Sequence, residues 1–80
     1  MGGQGENSQM SRYLIILEST ATGYSAYSPD LPGCIATGKT RAQIATEMQQ
    51  AIEFHIEGLR RAGEPVPEPQ SQAAYCEVAA

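Results

Sequence analysis

Basic residues are scarce in this chain, with five Lys and Arg against nine Asp and Glu in 80 residues and a sequence pI near 4.7. Affinity for a phosphate backbone comes largely from phosphates neutralised by Lys and Arg, so direct binding of DNA or RNA is not expected. Tyr24, Tyr27 and Phe54 could otherwise stack bases, but such platforms come with a basic groove, and these residues read instead as core or interface. Long apolar runs are also missing. The longest, Tyr13 to Leu17, falls far short of the roughly 20 residues that span a bilayer, so no membrane partner is expected. The first ten residues carry three glycines, no aliphatic run and no basic cluster, unlike a secretory signal or transit peptide. Residues 1–11 are therefore read as a disordered leader, and the protein as cytoplasmic.

Cysteine is nearly absent too. Without an export signal, Cys34 and Cys76 belong in a reducing compartment and are expected to be free thiols. Cys34, His55 and Cys76 lie 21 residues apart each time and lack the close pairs of a structural zinc site, so neither metal nor cofactor is expected. Cys34 has no neighbouring base, and His55 falls within an apolar stripe. They read as a small buried residue and a packed histidine, and no catalytic residue is assigned.

Tyr13-Leu14-Ile15-Ile16-Leu17-Glu18 is rich in strand formers, apolar at odd and even positions alike. In a period-2 element this means that both faces need cover. Ser19 to Gly23 interrupts the run with small polar residues, and Tyr24 to Tyr27 resumes it, which predicts a β-hairpin. Pro29 and Pro32 remove backbone donors and fix φ, so the second strand stops near Ser28 and the chain turns through Asp30-Leu31-Pro32-Gly33. A short third strand, Cys34 to Thr37, follows.

Thr40-Arg41-Ala42-Gln43 is a capping box opening a helix over residues 41–62. Ile44, Met48, Ala51, Ile52, His55, Leu59 and Ala62 form its apolar stripe. Arg60 and Arg61 suit the negative end of the helix dipole, and Gly63 fits the position just past the end. Glu64 to Pro69 alternates proline with other residues, an extended connector. Ala74 to Val78 reads as a last short strand.

The layout is a two-layer α+β unit at residues 12–80, a three-stranded antiparallel meander with one long helix and a final short strand. One helix covers one sheet face. Tyr13, Ile15 and Leu17 point one way and Leu14 and Ile16 the other, and at about 25 cal/mol per Å² neither set is cheap to leave wet. The expectation is a homo-oligomer, dimer or tetramer, with Leu14, Ile16, Tyr24 and Tyr27 at the interface.

In order along the chain stand the apolar first strand ending in Glu18, Gly23-Tyr24, the turn Pro29-Asp30-Leu31-Pro32-Gly33-Cys34, Gly38 before Thr40, the helix segment Ala51 to Leu59, and Gly63-Glu64-Pro65-Val66-Pro67-Glu68-Pro69. This set resembles the HicB-like antitoxin family. The resemblance implies a partial RNase H-like fold, β1-β2-β3-α-β4, with the last strand beside the first and Cys34 and Cys76 at opposite edges. It also implies an antitoxin that binds and inhibits a small mRNA-cleaving, HicA-like ribonuclease toxin. Longer members carry a C-terminal DNA-binding domain, and residues 12–80 match none. An acidic protein can cover a basic RNA-binding surface, and the candidate contacts are Asp30, Leu31, Glu57, Glu64 and Glu68.

Two other readings stand beside this one. An orphan homo-oligomeric scaffold or small-ligand-binding protein of the same fold would have no toxin encoded beside it. A remnant metal-dependent nuclease would need carboxylates such as Glu18, Glu47 or Glu53, and Glu77 to converge on paired ions. They read as solvated glutamates, and the protein as a non-enzyme.

Overall fold

Strand formers divided by a two-residue turn, Ala21-Thr22, make a hairpin of β1 (Ile16–Thr20) and β2 (Gly23–Tyr27) in the computed structural model, which describes residues 11–80. Apart from Ser11, the expected leader lies outside the described residues. β3 (Ile35–Gly38) pairs antiparallel with β2, so the sheet order is β1-β2-β3. The pairing runs Ile16 to Tyr27 to Ile35 in one row and Leu17 to Ala26 to Ala36 in the next. Gly23 closes the hairpin where a Cβ would meet the backbone of Gly38 and come within 2.8 Å of the Lys39 Cα, so no larger residue fits there.

β1 starts three residues later than the sequence suggests, because its partner runs out. Past Tyr27, the Ser28 N–H donates to the Cys34 carbonyl (3.3 Å) and its Oγ to the Leu14 carbonyl (2.9 Å), ending the ladder. Two successive turns follow, Leu31 N–H to Ser28 O and Cys34 N–H to Leu31 O. The second has Pro32 at its first corner and Gly33 at φ 85 at the next, the type II arrangement. These turns fold Leu31 inward. The sequence reading placed it on an exposed turn, whereas its side chain is fully buried with Ala26, Cys34, Ile44 and Met48.

α1 (Arg41–Arg61) is capped as its sequence predicts. The Thr40 hydroxyl accepts from the Gln43 N–H (3.0 Å) and the Gln43 amide oxygen accepts from the Lys39 N–H (2.7 Å). At the other end, Gly63 N–H bonds Arg60 O and Glu64 N–H bonds Leu59 O, a Schellman closure with Gly63 at φ 73. The helix packs over β3 and β2. Its 21 residues span about 31 Å against about 17 Å for a five-residue strand, so it overhangs the sheet. Ile44 and Met48 are accordingly buried, Ala51, Ile52, His55 and Leu59 half-buried, and Ala62 exposed.

Residues 64–80 form no strand. The expected fourth strand at Ala74 to Val78 is an extended segment exposed throughout, since no strand of its own chain lies against it. The α+β order of three antiparallel strands and one long helix holds as read, and the meander ends at three strands among the described residues.

Candidate functional site

Cross-strand partners share a face, so the register divides the sheet's side chains without ambiguity. Tyr13, Ile15, Leu17, Tyr24 and Ala36 pack against the core under α1. Leu14 and Ile16 alternate with these, and Ile16 lies in one row with Tyr27 and Ile35 on the helix-free face. Tyr27 is 42% and Ile35 65% exposed, so this row is an apolar patch open to a partner. Tyr24, expected at the same interface, lies on the other face of the sheet. It pairs with Ser19 and Gly38 and packs on the core side, three residues from Tyr27 and therefore on the opposite face. Ile35 takes its place on the open face, a residue the sequence reading passed over although its parity with Tyr27 was computable once β2 and β3 were paired.

The expected acidic contacts separate. The Asp30 carboxylate is already engaged, accepting from the Gln70 N–H (3.0 Å), the Ser71 N–H (2.9 Å) and the Ser71 hydroxyl (3.0 Å). Glu57 pairs with Arg61 at 2.9 Å one helical turn on, an exposed pair worth little to stability. Glu64 and Glu68 are exposed on the connector. Leu31, buried, offers no surface. Nothing in the sequence signalled the Asp30 clamp, because its partners lie 40 and 41 residues away.

The connector is held at a second point, where the Tyr13 hydroxyl donates to the Pro67 carbonyl at 2.6 Å. Burial raises the Tyr13 pKa, with the charges of Glu68 and Asp30 adding to the rise and Arg60 opposing it. The Asp30 pKa lies below the ordinary carboxylate value, chiefly because the Ser71 backbone N–H stabilises its charged form. The clamp is therefore complete above the ordinary Asp pKa of about 3.9 and is lost as pH falls through the lowered value. The Gln70 and Ser71 amide resonances are expected to titrate together with a midpoint below about 3.9. A shared midpoint at or above that value would contradict the clamp.

Burial raises the Cys34 pKa, so this thiol behaves as a small apolar core residue. Cys76 is exposed, and both cysteines are free. Among the described residues, no three His, Cys, Asp or Glu side chains gather as a metal site. Glu18, Glu47, Glu53 and Glu77 are all exposed. A cleft of about 760 Å³ opens between the run leading into β1 and the helix, lined by Tyr13, Ile15, Met48, Ile52 and Ile56 together with the charged Arg12, Glu53, Glu57 and Arg60. An exposed apolar row and dispersed acids are features that suit protein recognition.

Comparison with known proteins points the same way. A family model described as the HicB_like antitoxin of bacterial toxin-antitoxin systems matches residues 13–79. The chain is 38% identical over 63 residues to a 14.9 kDa protein from the rep-hol intergenic region of Haemophilus phage HP1, covering 79% of this chain and 47% of that protein. It thus spans about half the length of that relative. A UPF0150 protein of Thermoplasma acidophilum is 31% identical over 76% of this chain and 90% of its own length. One of Synechocystis is 37% identical over 74% and 76%. Among solved structures, a chain of the HicA3 and HicB3 toxin-antitoxin complex superposes with a TM-score of 0.67 and 37% identity, covering 75% of this chain and 70% of that one.

Proposed function

The chain belongs to the HicB-like antitoxins of bacterial toxin-antitoxin systems, and from that membership we propose that residues 12–80 act as one unit that binds and inhibits a small, mRNA-cleaving, HicA-like ribonuclease. The observation that carries the proposal is the similarity, in sequence and in fold, to a chain solved in a toxin-antitoxin complex. The protein acts by occupying its partner's surface and not by catalysis. Among the described residues no helix is long and apolar enough to cross a membrane, and the proposed site of action is the cytoplasm, where a toxin would meet messenger RNA.

Glu64 and Glu68 project from the connector and supply negative charge where a basic RNA-binding surface would dock. Glu57 joins them as a lesser contact, since Arg61 already balances it. Charge complementarity of this kind speeds encounter, and apolar contact sets the lifetime of the complex. Self-association through Leu14, Ile16, Tyr27 and Ile35 completes the proposal, burying the face that the helix leaves open.

The deciding experiment is co-expression with a small HicA-like ribonuclease. Suppression of its growth arrest and RNA cleavage, with co-purification of the two, is expected; failure of both returns the protein to the orphan-scaffold reading. The double variant Glu64→Lys with Glu68→Lys is expected to weaken the complex about tenfold at low salt, mainly through a slower association rate. Identical rates for variant and parent would remove the acidic contacts from the proposal.

A further inference from the structure

Two features that the antitoxin reading leaves unused fit one another. The first is an empty slot. β1 is paired along one edge only, by β2, and the run leading into it lines a cleft against the helix through Tyr13 and Ile15. A strand laid along the free edge of β1 would meet its unpaired backbone groups and, where it continues beside Tyr13 and Ile15, the cleft that Ile52 and Ile56 of the helix also line.

The second is a strand without a sheet. Ala74-Tyr75-Cys76-Glu77-Val78 is extended and exposed, with Tyr75 at 96% and Val78 at 78%. Its five residues equal the length of β1. Apolar side chains fall on both of its faces, Ala74, Cys76 and Val78 on one and Tyr75 on the other, as suits a strand with helix on one side and an open sheet face on the other.

This tail segment forms no ladder with the β1 of its own chain. From Glu64 to Ala80 the backbone has neither turn nor bend, and no Gly or Pro follows Pro69 to make one. Its root is pinned by the Asp30 carboxylate at Gln70 and Ser71. Beyond Ser71, the residues to Val78 reach about 23 Å, far enough to lie on a neighbour.

We propose that Ala74 to Val78 of one copy adds as a strand to the free edge of β1 in a second copy, which returns its own tail in exchange. The contact is isologous, so two tails and two clefts are satisfied in one closed dimer. It places the family's fourth strand where the resemblance expects it, beside β1, but supplies it from the partner. The assignment does not depend on the identity of any toxin.

Native Cys76 is the probe. Glu18→Cys and Ser19→Cys place a thiol on each face of β1 at exposed positions, where folding should be unaffected, and buried Cys34 does not compete. On mild oxidation of the dilute, purified full chain, at least one variant is expected to yield a reducible dimer as its main product, absent from the parent and abolished by Cys76→Ser. Removal of residues 72–80 is expected to weaken dimerisation at least tenfold by sedimentation. A disulfide within a single chain would show that the tail serves its own β1 and would overturn the proposal. So would the absence of cross-linking in both variants, cross-linking that survives Cys76→Ser, or a shortened chain that dimerises like the parent.

Discussion

Leu31→Ala is expected to destabilise the protein by about 3 kcal/mol, which would lower its melting temperature by about 15 °C. Leu31, Ile44 and Met48 are the largest fully buried side chains, and the buried core is small. Removing three carbons from its centre loses their transfer energy and leaves a cavity. The double turn from Ser28 to Cys34, held by Leu31 N–H to Ser28 O and Cys34 N–H to Leu31 O, cannot collapse into that space without breaking its own hydrogen bonds. A domain of this size has only a few kcal/mol in hand, so the variant should be largely unfolded at 37 °C. Thermal unfolding followed by circular dichroism checks this. A shift of only a degree or two would mean that the turn is pliable and that Leu31 serves a partner after all.

Ile35→Glu carries the second large effect, and it falls on assembly instead of folding. Ile35 is 65% exposed, so the substitution costs the monomer little. In a contact through the helix-free face, however, the isoleucine contributes about 2 kcal/mol per copy, and a two-fold interface counts it twice. Losing about 4 kcal/mol weakens that contact about a thousandfold. Burial of the new carboxylates opposes it further, because two-fold symmetry brings like charges together. In sedimentation velocity over a concentration series, the parent is expected to associate more strongly than Ile35→Glu, while their far-ultraviolet spectra coincide. If the two sediment alike, the row Ile16, Tyr27 and Ile35 is not the self-contact. Cross-linking through Cys76 reads the tail exchange separately, so the two contacts can fail independently.

Much of this architecture was legible because its causes are local. A capping box acts over three residues, a Schellman closure over five, a proline on its own φ, and a two-residue turn on the strands it joins. Hence β1, β2, β3 and α1 follow one another as read, with Thr40 and Gly63 at the helix ends. The alternation of Tyr13, Ile15 and Leu17 with Leu14 and Ile16 likewise announced a sheet needing cover on both sides. Family membership was legible in the order of these same local signals.

What only the tertiary structure decided depends on residues far apart in the chain. Leu31 sits in a polar, proline-flanked turn, and only the Ser28 and Cys34 hydrogen bonds aim it inward. Tyr24 and Tyr27 look alike in sequence, and the β2–β3 register sends one beneath the helix and leaves the other open. The Asp30 carboxylate finds Gln70 and Ser71 across some 40 residues, an encounter that no short-range propensity encodes. The place of the last strand is the clearest case. Its composition makes it able to pair, but pairing also needs a free edge in register, and within its own chain it forms no ladder.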